Sequence, residues 1–152
     1  MTVSAIPEDF EPGELRDEVL SLELMEVADH PAHKVPTIFF RMVEAGGEEV
    51  GAINLRVGSN RHIERYGGHV GYSVHLAHRG HGYAARAIRL LMPLSRKMGF
   101  EEIWITCDPE NTASRRSCEI AGATLEGIVD VPTDCIIHRH GHPRKCRYKL
   151  TL

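Results

Sequence analysis

The sequence has no long apolar run and no excess of basic charge. No stretch reaches the roughly 18 consecutive apolar residues that suggest a transmembrane helix, so we expect no membrane span. Asp plus Glu outnumber Lys plus Arg by 21 to 18, which argues against a globally basic nucleic-acid-binding protein. The 152 residues, 42% of them hydrophobic, suffice for about one domain with a buried core. We therefore expect a single domain with no membrane or nucleic-acid partner.

Cysteine is sparse, and its spacing suggests neither disulfides nor a zinc finger. The four cysteines include no CxxC pair, and a chain of this size can fold without covalent staples. The first residues lack a basic region followed by an apolar stretch, so we expect no secretory signal. The sequence thus predicts a cytoplasmic protein with four reduced thiols, Cys107, Cys118, Cys135 and Cys146.

Hydrophobic periodicity predicts alternating strands and helices after an N-terminal arm. Residues 1–17 are acidic and carry proline and glycine, which is typical of a solvated arm. Apolar alternation and helical spacing then indicate the regular elements. Strands are predicted over residues 19–27, 36–44, 49–57, 69–76, 102–108, 123–131 and 145–152, and helices over 83–99, bent at Pro93, and 111–121. This order favours an α/β (α+β) fold with a mixed sheet of about six to seven strands and a central parallel βαβ unit.

A glycine-containing turn joins the fourth predicted strand to the first helix. Gly80 and Gly82 permit a sharp turn, and several N–H groups would then point outward at a helix N-terminus. Such groups and the helix dipole favour a diphosphate, to which the Arg79 guanidinium could add a bidentate contact. The turn comprises Arg79, Gly80, His81, Gly82, Tyr83, Ala84 and Ala85. It predicts a phosphate-binding loop, although composition alone also permits a tight turn without a ligand.

Two nucleotide-binding motifs compete for this turn. A Walker loop needs a lysine followed by a hydroxyl residue, and neither stands at the required position. Residues 80–85 match the dinucleotide pattern GxGxxA, and Asp108 ends the next strand near the spacing of a ribose-binding acid. Several predicted strands precede the turn, however, whereas dinucleotide domains usually begin with this unit. A dinucleotide-binding oxidoreductase is therefore the weaker alternative.

A longer set of residues resembles a known enzyme family. The strand EIWITCD separates the turn motif Arg79-x-x-Gly82-x-Ala84 from the helix motif Asn111-x-x-Ser114-x-x-x-x-Glu119-x-x-Gly122. From about Pro36 to the C-terminus, the chain resembles the GNAT superfamily of acyl-CoA-dependent N-acetyltransferases, and in particular a bacterial branch of it. The resemblance implies an enzyme that uses acetyl-CoA as co-substrate. It also implies transfer of the acetyl group to a primary amine of a small molecule or peptide by direct attack.

The resemblance implies roles for individual residues as well. Loop 79–85 would bind the diphosphate of coenzyme A through backbone N–H groups. The fourth strand, near Ser73 and Val74, would diverge from the fifth, pair with the pantetheine arm and polarise the thioester carbonyl. Asn111 and Ser114, at the start of the second helix, would contact the pantetheine arm or the diphosphate.

The chain departs from the family in two ways. The family's usual general acid is a tyrosine seven residues beyond Asn111, where this chain has Cys118. That thiol could protonate the leaving thiolate or only fill the core. Residues 28–35 alone join the first two predicted strands, so the helices of the acceptor wall are reduced or absent. We expect an open acceptor cleft, or one completed by a second copy of the chain in a homodimer.

Histidine supplies the candidate general base and much of the most metal-like segment. His69, at the start of the fourth strand, is the predicted base because imidazole suits proton transfer near neutral pH. A structural hydrogen bond within the sheet is the alternative role. We predict no metal, because no common zinc-finger spacing fits Cys135, His138, His140, His142 and Cys146. That segment is interpreted as a polar hairpin tip or a local anion-binding surface.

The sequence thus predicts a cytoplasmic, GNAT-like N-acetyltransferase with His69 and Cys118 as catalytic residues. A catalytically silent acyl-CoA-binding module is the alternative from a different class. It is favoured by the missing tyrosine and the short acceptor wall.

Overall fold

The computed structural model describes residues 6–152, which form seven strands and four α-helices. The strands are β1 (Leu20–Asp29), β2 (Pro36–Glu44), β3 (Glu49–Arg56), β4 (Val70–Val74), β5 (Glu102–Cys107), β6 (Thr124–Asp130) and β7 (Arg144–Thr151). The helices are α1 (Tyr83–Leu90), α2 (Met92–Lys97), α3 (Thr112–Ala121) and α4 (Ile136–Arg139). A π-helical turn covers Ile63–Gly67, and a 3₁₀ turn covers Leu76–His78.

The strands form two sheets instead of the single mixed sheet that the sequence suggested. One sheet has the order β1-β2-β3-β4 and the other has the order β5-β7-β6, and the pairings within both are antiparallel. β4 and β5 are therefore edge strands, joined where the His69 N–H donates to the Trp104 carbonyl at 2.6 Å. Beyond this contact a cleft opens between them. The α/β class is confirmed, whereas the expected parallel pairing of β4 with β5 is limited to this junction.

Gly68 allows the two sheets to approach each other at the junction. Its φ of 75° lies in the left-handed region, which favours glycine. A Cβ at this position would lie 3.1 Å from both Trp104 O and Thr106 N, which is tighter than ordinary van der Waals contact. On the neighbouring turn, the Tyr66 carbonyl accepts a hydrogen bond from the Thr106 hydroxyl at 2.8 Å. The sheets are thus tied together at one corner and separate from there.

The hydrophobic core lies between the sheets and helices α1 and α3. α1 turns an apolar face inward that includes Ala87 and Ile88, both fully buried. Phe40 from the first sheet and Tyr148 from the second are buried in the same cluster. This packing fixes α1 relative to β4 and therefore fixes the turn that precedes α1. No helix among residues 6–152 combines the length and the apolar character that a membrane crossing requires.

The helix predicted over residues 83–99 is divided in two. α1 ends at Leu90 and α2 begins at Met92, with Pro93 in the first turn of α2. A proline is tolerated in a first turn because the N–H that it lacks would have no intrahelical partner there. The structure therefore places the interruption at Leu91, just before the proline that the sequence identified as its cause.

The N-terminal arm packs against the fold over the part that is described. Leu15 is buried, and the Asp17 carboxylate accepts hydrogen bonds from two N–H groups at the start of β1. Asp17 also pairs with the Arg86 guanidinium of α1 at 2.9 Å. The sequence predicted a solvated arm, and most of residues 7–14 are exposed, but the arm is anchored to the fold at Leu15 and Asp17. Residues 1–5, the rest of that predicted arm, lie outside the described residues.

A short connection joins β1 to β2. Residues 30–35 contain no helix, in agreement with the expected loss of the acceptor-side helices. The His30 Nδ1 accepts hydrogen bonds from the N–H groups of Ala32 and His33, at 3.0 and 3.2 Å. This turn places the His33 ring at the wall of the cleft.

Candidate active site

A cleft of about 600 Å³ opens between β4, α3, the turn before α1 and the connection from β6 to β7. It brings together nine of the eleven residues predicted to bind the cofactor. These nine are Ser73, Val74, Arg79, Gly80, Gly82, Tyr83, Ala84, Asn111 and Ser114. The other two, His81 and Ala85, do not line it. One cavity therefore joins the predicted phosphate-binding loop to the diverging end of β4.

Loop 79–85 has the backbone geometry of an anion site. Gly80 and Gly82 have φ values of 88° and 75°, and a Cβ at either position would meet no atom within 4 Å. The positive φ, and not crowding, is therefore what requires glycine at both positions. Gly82 is the N-cap of α1, and no side chain caps that helix. The first N–H groups of α1 thus remain available to an anion at its N-terminus.

The two basic side chains of this loop point in different directions. The Arg79 Nε donates to the Val74 carbonyl at 3.1 Å, which holds the guanidinium at the end of β4 beside the cleft. The His81 ring contacts the His78 carbonyl through Nδ1 at 2.9 Å and stacks on Tyr83. Arg79 is therefore the loop side chain placed to contact a ligand.

The start of α3 contributes polar groups to the opposite wall. Asn111 is the N-cap of α3, and its side chain accepts a hydrogen bond from the Ser114 N–H at 3.1 Å. The Ser114 hydroxyl shares a short hydrogen bond with the Tyr72 hydroxyl across the cleft. The sequence analysis identified both α3 residues but missed Tyr72, because no local pattern links β4 to a helix 42 residues later.

The Tyr72 hydroxyl, which reaches the cleft, contacts the Cys118 thiol, which lies behind the cleft wall. The Tyr72 hydroxyl is 3.8 Å from the Cys118 Sγ, and burial raises the pKa of Tyr72 well above its usual value. Cys118 is fully buried and does not line the cleft. A hydrogen bond with Cys107 raises the pKa of Cys118, and burial raises it further. Both groups therefore stay protonated at neutral pH, and Tyr72 is the one that reaches the cleft.

Cys107 is a cleft residue that the sequence analysis did not select. It ends β5, lines the cavity and lies opposite Cys146 of β7 in the strand register. The hydrogen bond from Cys118 lowers the pKa of Cys107, because it stabilises the thiolate. The Cys107 thiol is therefore more acidic than the Cys118 thiol.

His69 lies at the sheet junction and not in the cleft. It is 2% exposed, its Nδ1 accepts a hydrogen bond from the Trp104 N–H at 2.9 Å, and its Nε2 is 3.1 Å from the Ser59 hydroxyl. Burial, with a further contribution from Arg56, lowers the pKa of His69 to about 4. Nδ1 thus links the two sheets, and Nε2 is engaged by the loop that follows β3. This geometry favours the structural role over the predicted catalytic role.

The burial of His69 should make stability depend on pH. Because its pKa falls from 6.5 to about 4 on folding, its contribution is present above pH 6.5 and is lost as pH falls toward 4. The difference corresponds to about 3 kcal/mol in the free energy of unfolding. Urea titrations at neutral and acidic pH should therefore show a smaller acid-induced loss of stability for His69→Gln than for the native protein. An equal loss would assign the acid sensitivity to other groups.

His142 lines the cleft and contacts a carboxylate. The His142 Nδ1 lies 2.7 Å from Asp108 Oδ2, and Lys145 Nζ lies 3.1 Å from Asp108 Oδ1. Burial opposes ionisation of Asp108, but its contacts with Lys145 and His142 outweigh burial and lower its pKa. An ionised Asp108 orients the imidazole so that Nε2 is left as the acceptor nitrogen. In the sequence, Asp108 fitted the spacing of a ribose-binding acid and His142 belonged to the metal-like segment, so neither was predicted in this role.

His138, His140 and His142 alternate along the chain, and they would lie on one face as metal ligands only if their segment were an extended strand. The structure shows no such strand there. Residues 136–139 form α4, so His138, His140 and His142 do not share one face of a strand. Within residues 6–152, no three His, Cys, Asp or Glu side chains come together as a group that could hold a metal ion. The connection forms a wall of the cleft, with Ile137, His140 and His142 along it.

Comparisons with known proteins agree with this geometry. A family model described as an acetyltransferase (GNAT) domain matches residues 4–124. The chain is also 25% identical to a GNAT-family acetyltransferase from Bacillus anthracis, with a TM-score of 0.59. That match covers 74% of this chain and 65% of the other, so the chain spans less than two thirds of that relative. No curated protein sequence gives a significant match.

Two further structures are similar in fold. RimJ from Mycobacterium smegmatis, in complex with a coenzyme A disulfide, is 21% identical with a TM-score of 0.58, over 76% of this chain and 53% of RimJ. RimL, a ribosomal L7/L12 alpha-N-protein acetyltransferase in complex with coenzyme A, is 13% identical with a TM-score of 0.66. That match covers 91% of this chain and 98% of RimL. At these identities the two matches show the fold alone.

Proposed function

The chain belongs to the acetyltransferase (GNAT) domain family, and from this premise we propose that it transfers the acetyl group of acetyl-CoA to a primary amine of a small molecule or peptide. The observation that supports the proposal most is the cleft between edge strands β4 and β5, which extends to the N-terminus of α1. A phosphate-binding turn at one end of an open strand edge suits a molecule with a diphosphate and a long amide-containing arm. The similar RimL structure contains coenzyme A.

Each wall of the cleft would contact a different part of coenzyme A. The N–H groups at the start of α1, with Arg79 beside them, would bind the diphosphate. The free edge of β4 at Ser73 and Val74 would pair with the amides of the pantetheine arm, since no strand within residues 6–152 occupies that edge. Asn111 and Ser114 would contact the arm from the start of α3.

The proposed reaction is a direct attack that needs a proton acceptor and a proton donor. The amine nitrogen bonds to the thioester carbonyl carbon, the carbon–sulfur bond breaks, and the leaving thiolate takes up a proton. Backbone N–H groups near Ser73 and Val74 would stabilise the charge that develops on the carbonyl oxygen. A cationic primary amine loses two protons as it becomes an amide. A proton acceptor in the cleft would take one before attack, and the second, lost from the nitrogen after attack, balances the proton that the thiolate receives.

His142 is the group we propose as proton acceptor. Its Nε2 makes no hydrogen bond within residues 6–152, and Asp108 holds the opposite ring nitrogen. A base oriented by a carboxylate is a recurring arrangement in acyl-transfer sites. His69 lacks a free ring nitrogen, so we assign it to the sheet junction in this proposal.

Tyr72 is the group we propose as proton donor to the leaving thiolate. It lines the cleft and is hydrogen-bonded to Ser114, whereas Cys118 lies behind it. The sequence placed a cysteine where the family usually has an acidic tyrosine hydroxyl. A tyrosine from β4 would replace that hydroxyl from the other side of the cleft.

Tyr72→Phe should show whether Tyr72 or Cys118 donates the proton to the leaving thiolate. Removing the hydroxyl leaves the ring packing intact, so we expect kcat to fall about tenfold to a hundredfold, with acetyl-CoA affinity changed little. The matched variant Cys118→Ser should keep most of the turnover and the folded state. Steady-state rates and acetyl-CoA titrations of both variants provide the measurement. A large loss in Cys118→Ser with Tyr72→Phe active would return the donor role to the cysteine.

Calorimetric titration with acetyl-CoA, NAD and NADP tests the proposed function itself. We expect a micromolar dissociation constant for acetyl-CoA, about −8 kcal/mol, and no heat with either dinucleotide. Selective dinucleotide binding would support the oxidoreductase alternative, which family membership already disfavours. Tight acetyl-CoA binding without transfer to any amine of a broad panel would instead identify a silent acyl-CoA-binding module. Completion of the acceptor cleft by a second copy of the chain stays a prediction.

A further inference from the structure

Arg56 is a buried cation without a counter-ion. It ends β3, is 7% exposed, and has no carboxylate oxygen within 4.0 Å among residues 6–152. Its Nη1 donates to the carbonyls of Gly67 and Gly68, at 2.6 and 3.0 Å, and its Nε is enclosed without an acceptor. No acceptor contacts Nη2 in the same part of the chain. A buried charge of this kind is costly unless a partner of opposite sign arrives.

The site also keeps room for the guanidinium. A Cβ on Gly71 of β4 would collide with Nη2, so glycine at that position allows the charged group to lie against the strand. Burial lowers the pKa of Arg56 to about 10, which still leaves the side chain cationic at neutral pH. The fold therefore holds a permanent positive charge at the edge of the cleft.

Nothing else at this end of the cleft neutralises that charge. Among the described residues that line the cavity, Asp108 alone is acidic, and Lys145 already pairs with it. Burial and then Arg56 itself lower the pKa of His33, which lines the same wall, to about 3, so that imidazole is neutral. The uncompensated charge in this part of the cavity is thus the guanidinium.

The position of Arg56 separates it from the phosphate-binding loop. Arg56 lies at the beginning of β4, beside the sheet junction, whereas loop 79–85 follows the other end of that strand. At about 3.3 Å per residue, the five residues of β4 put roughly 15 Å between the two sites. A diphosphate bound at the loop would therefore not reach Arg56. An anion that binds Arg56 would therefore be part of the amine acceptor and not of coenzyme A.

We propose that Arg56 binds a carboxylate of the acceptor, so that the preferred acceptors are amines with a carboxylate close to the amino group. This inference rests on the proposed function. Only Nη2 is free to donate, which suits a singly charged, planar carboxylate better than a phosphate that needs several donors. The carboxylate would be the α-carboxylate of a free amino acid or an acidic side chain near a peptide N-terminus. Both supply a carboxylate, but the peptide side chain carries it farther from the amine than the α-carboxylate of a free amino acid does.

Binding of acetylated products tests this without requiring turnover. The coenzyme A-saturated protein is titrated with N-acetylglycine and its neutral isostere N-acetylglycinamide. A second pair consists of acetylated tripeptide amides that differ only by Asp or Asn at their second residue. We expect the acid of at least one pair to bind tenfold or more tighter than its amide. The pair that shows the preference identifies the source of the carboxylate.

Variants then assign the preference to Arg56. Arg56→Gln should bring the ratio of acid to amide affinity close to one, whereas Arg56→Lys should retain most of it. Arg89→Gln, which removes a surface arginine outside the cleft, should leave the ratio unchanged. A purely structural role for Arg56 would weaken both members of a pair equally and would leave the ratio intact.

The outcomes separate this inference from the proposed function. The carboxylate site would be overturned if acid and amide bound with equal affinity in both pairs, or if neither acid bound. This conclusion would hold even if the protein is an active acetyltransferase and even if Arg56→Gln fails to fold. A preference that survives in a folded Arg56→Gln would also overturn it. A charge preference lost in Arg56→Gln, together with no transfer to any amine, would uphold the anion site and reject the acetyltransferase proposal.

Discussion

Gly82→Val should weaken coenzyme A binding about a hundredfold or more, which corresponds to roughly 3 kcal/mol. Gly82 has a φ of 75° at the N-cap of α1, a conformation that costs a residue with a Cβ roughly 1–2 kcal/mol. The turn would relax toward a negative φ, and the N–H groups at the start of α1 would no longer converge on the diphosphate. The valine side chain would also enter the open space through which a phosphate approaches, since no atom lies within 4 Å of a Cβ there. Calorimetric titration with coenzyme A measures the change.

Gly99→Val is the matched control for this experiment. Gly99 follows α2 with a φ of 98°, has no atom within 4 Å of a Cβ, and does not line the cleft. It should reproduce the backbone strain and a similar fall in melting temperature, but keep the native affinity for coenzyme A. Equal losses of affinity in both variants would attribute the effect to general destabilisation. Native affinity in Gly82→Val would place the diphosphate elsewhere.

His142→Gln should lower kcat/KM by about 10²- to 10⁴-fold without weakening acetyl-CoA binding. The variant removes the free Nε2 that we assign as proton acceptor, while the contacts proposed for coenzyme A lie on β4, α1 and α3. Asp108→Asn should have a smaller effect in the same direction, because it leaves the imidazole in place but no longer orients it. Initial rates across a pH series provide the measurement. The rise in kcat/KM with pH should flatten in His142→Gln.

His140→Gln and His69→Gln are the informative comparisons. His140 lines the same wall of the cleft but has no carboxylate partner among residues 6–152, so its loss should leave the pH profile unchanged. His69→Gln should alter stability more than turnover, because the ring nitrogens of His69 contact the Trp104 N–H and the Ser59 hydroxyl and neither faces the cleft. If His69→Gln flattened the profile while His142→Gln kept it, the base would be His69 and the sheet junction would have to open for catalysis.

Local signals in the sequence were enough for most of the elements. The apolar and β-branched run of residues 36–44 coincides with β2. The helix predicted over residues 111–121 matches α3, in which Asn111 is the N-cap and accepts a hydrogen bond from the Ser114 N–H, and Gly122 ends the helix at a φ of 101°. The turn at residues 79–85 was also predicted from a local signal, because two glycines between a predicted strand and a predicted helix indicate a sharp backbone turn. These features depend on neighbours within one or two turns of chain.

The catalytic groups we propose depend on contacts that no local pattern reveals. Tyr72 meets Ser114 across 42 residues, and Asp108 meets His142 across 34. His69 was selected by position along the strand, yet the direction of its ring follows from the junction with Trp104, which a sequence pattern does not specify. The segment after Cys135 was interpreted as a polar hairpin tip or an anion-binding surface, and the structure shows that residues 136–139 form α4 and that Ile137, His140 and His142 line the cleft.

The split between the two sheets also determines where the molecule tolerates substitution. Along the open part of β4 a ligand would be recognised by main-chain groups, which every residue type carries, so exchanges of side chains there need not change what is bound. Substitution is restricted at Gly68, beside the sheet junction, where a single methyl group would lie 3.1 Å from the Trp104 carbonyl oxygen. Gly68 does not line the cleft, so a replacement there would affect substrate binding only through the approach of the two sheets.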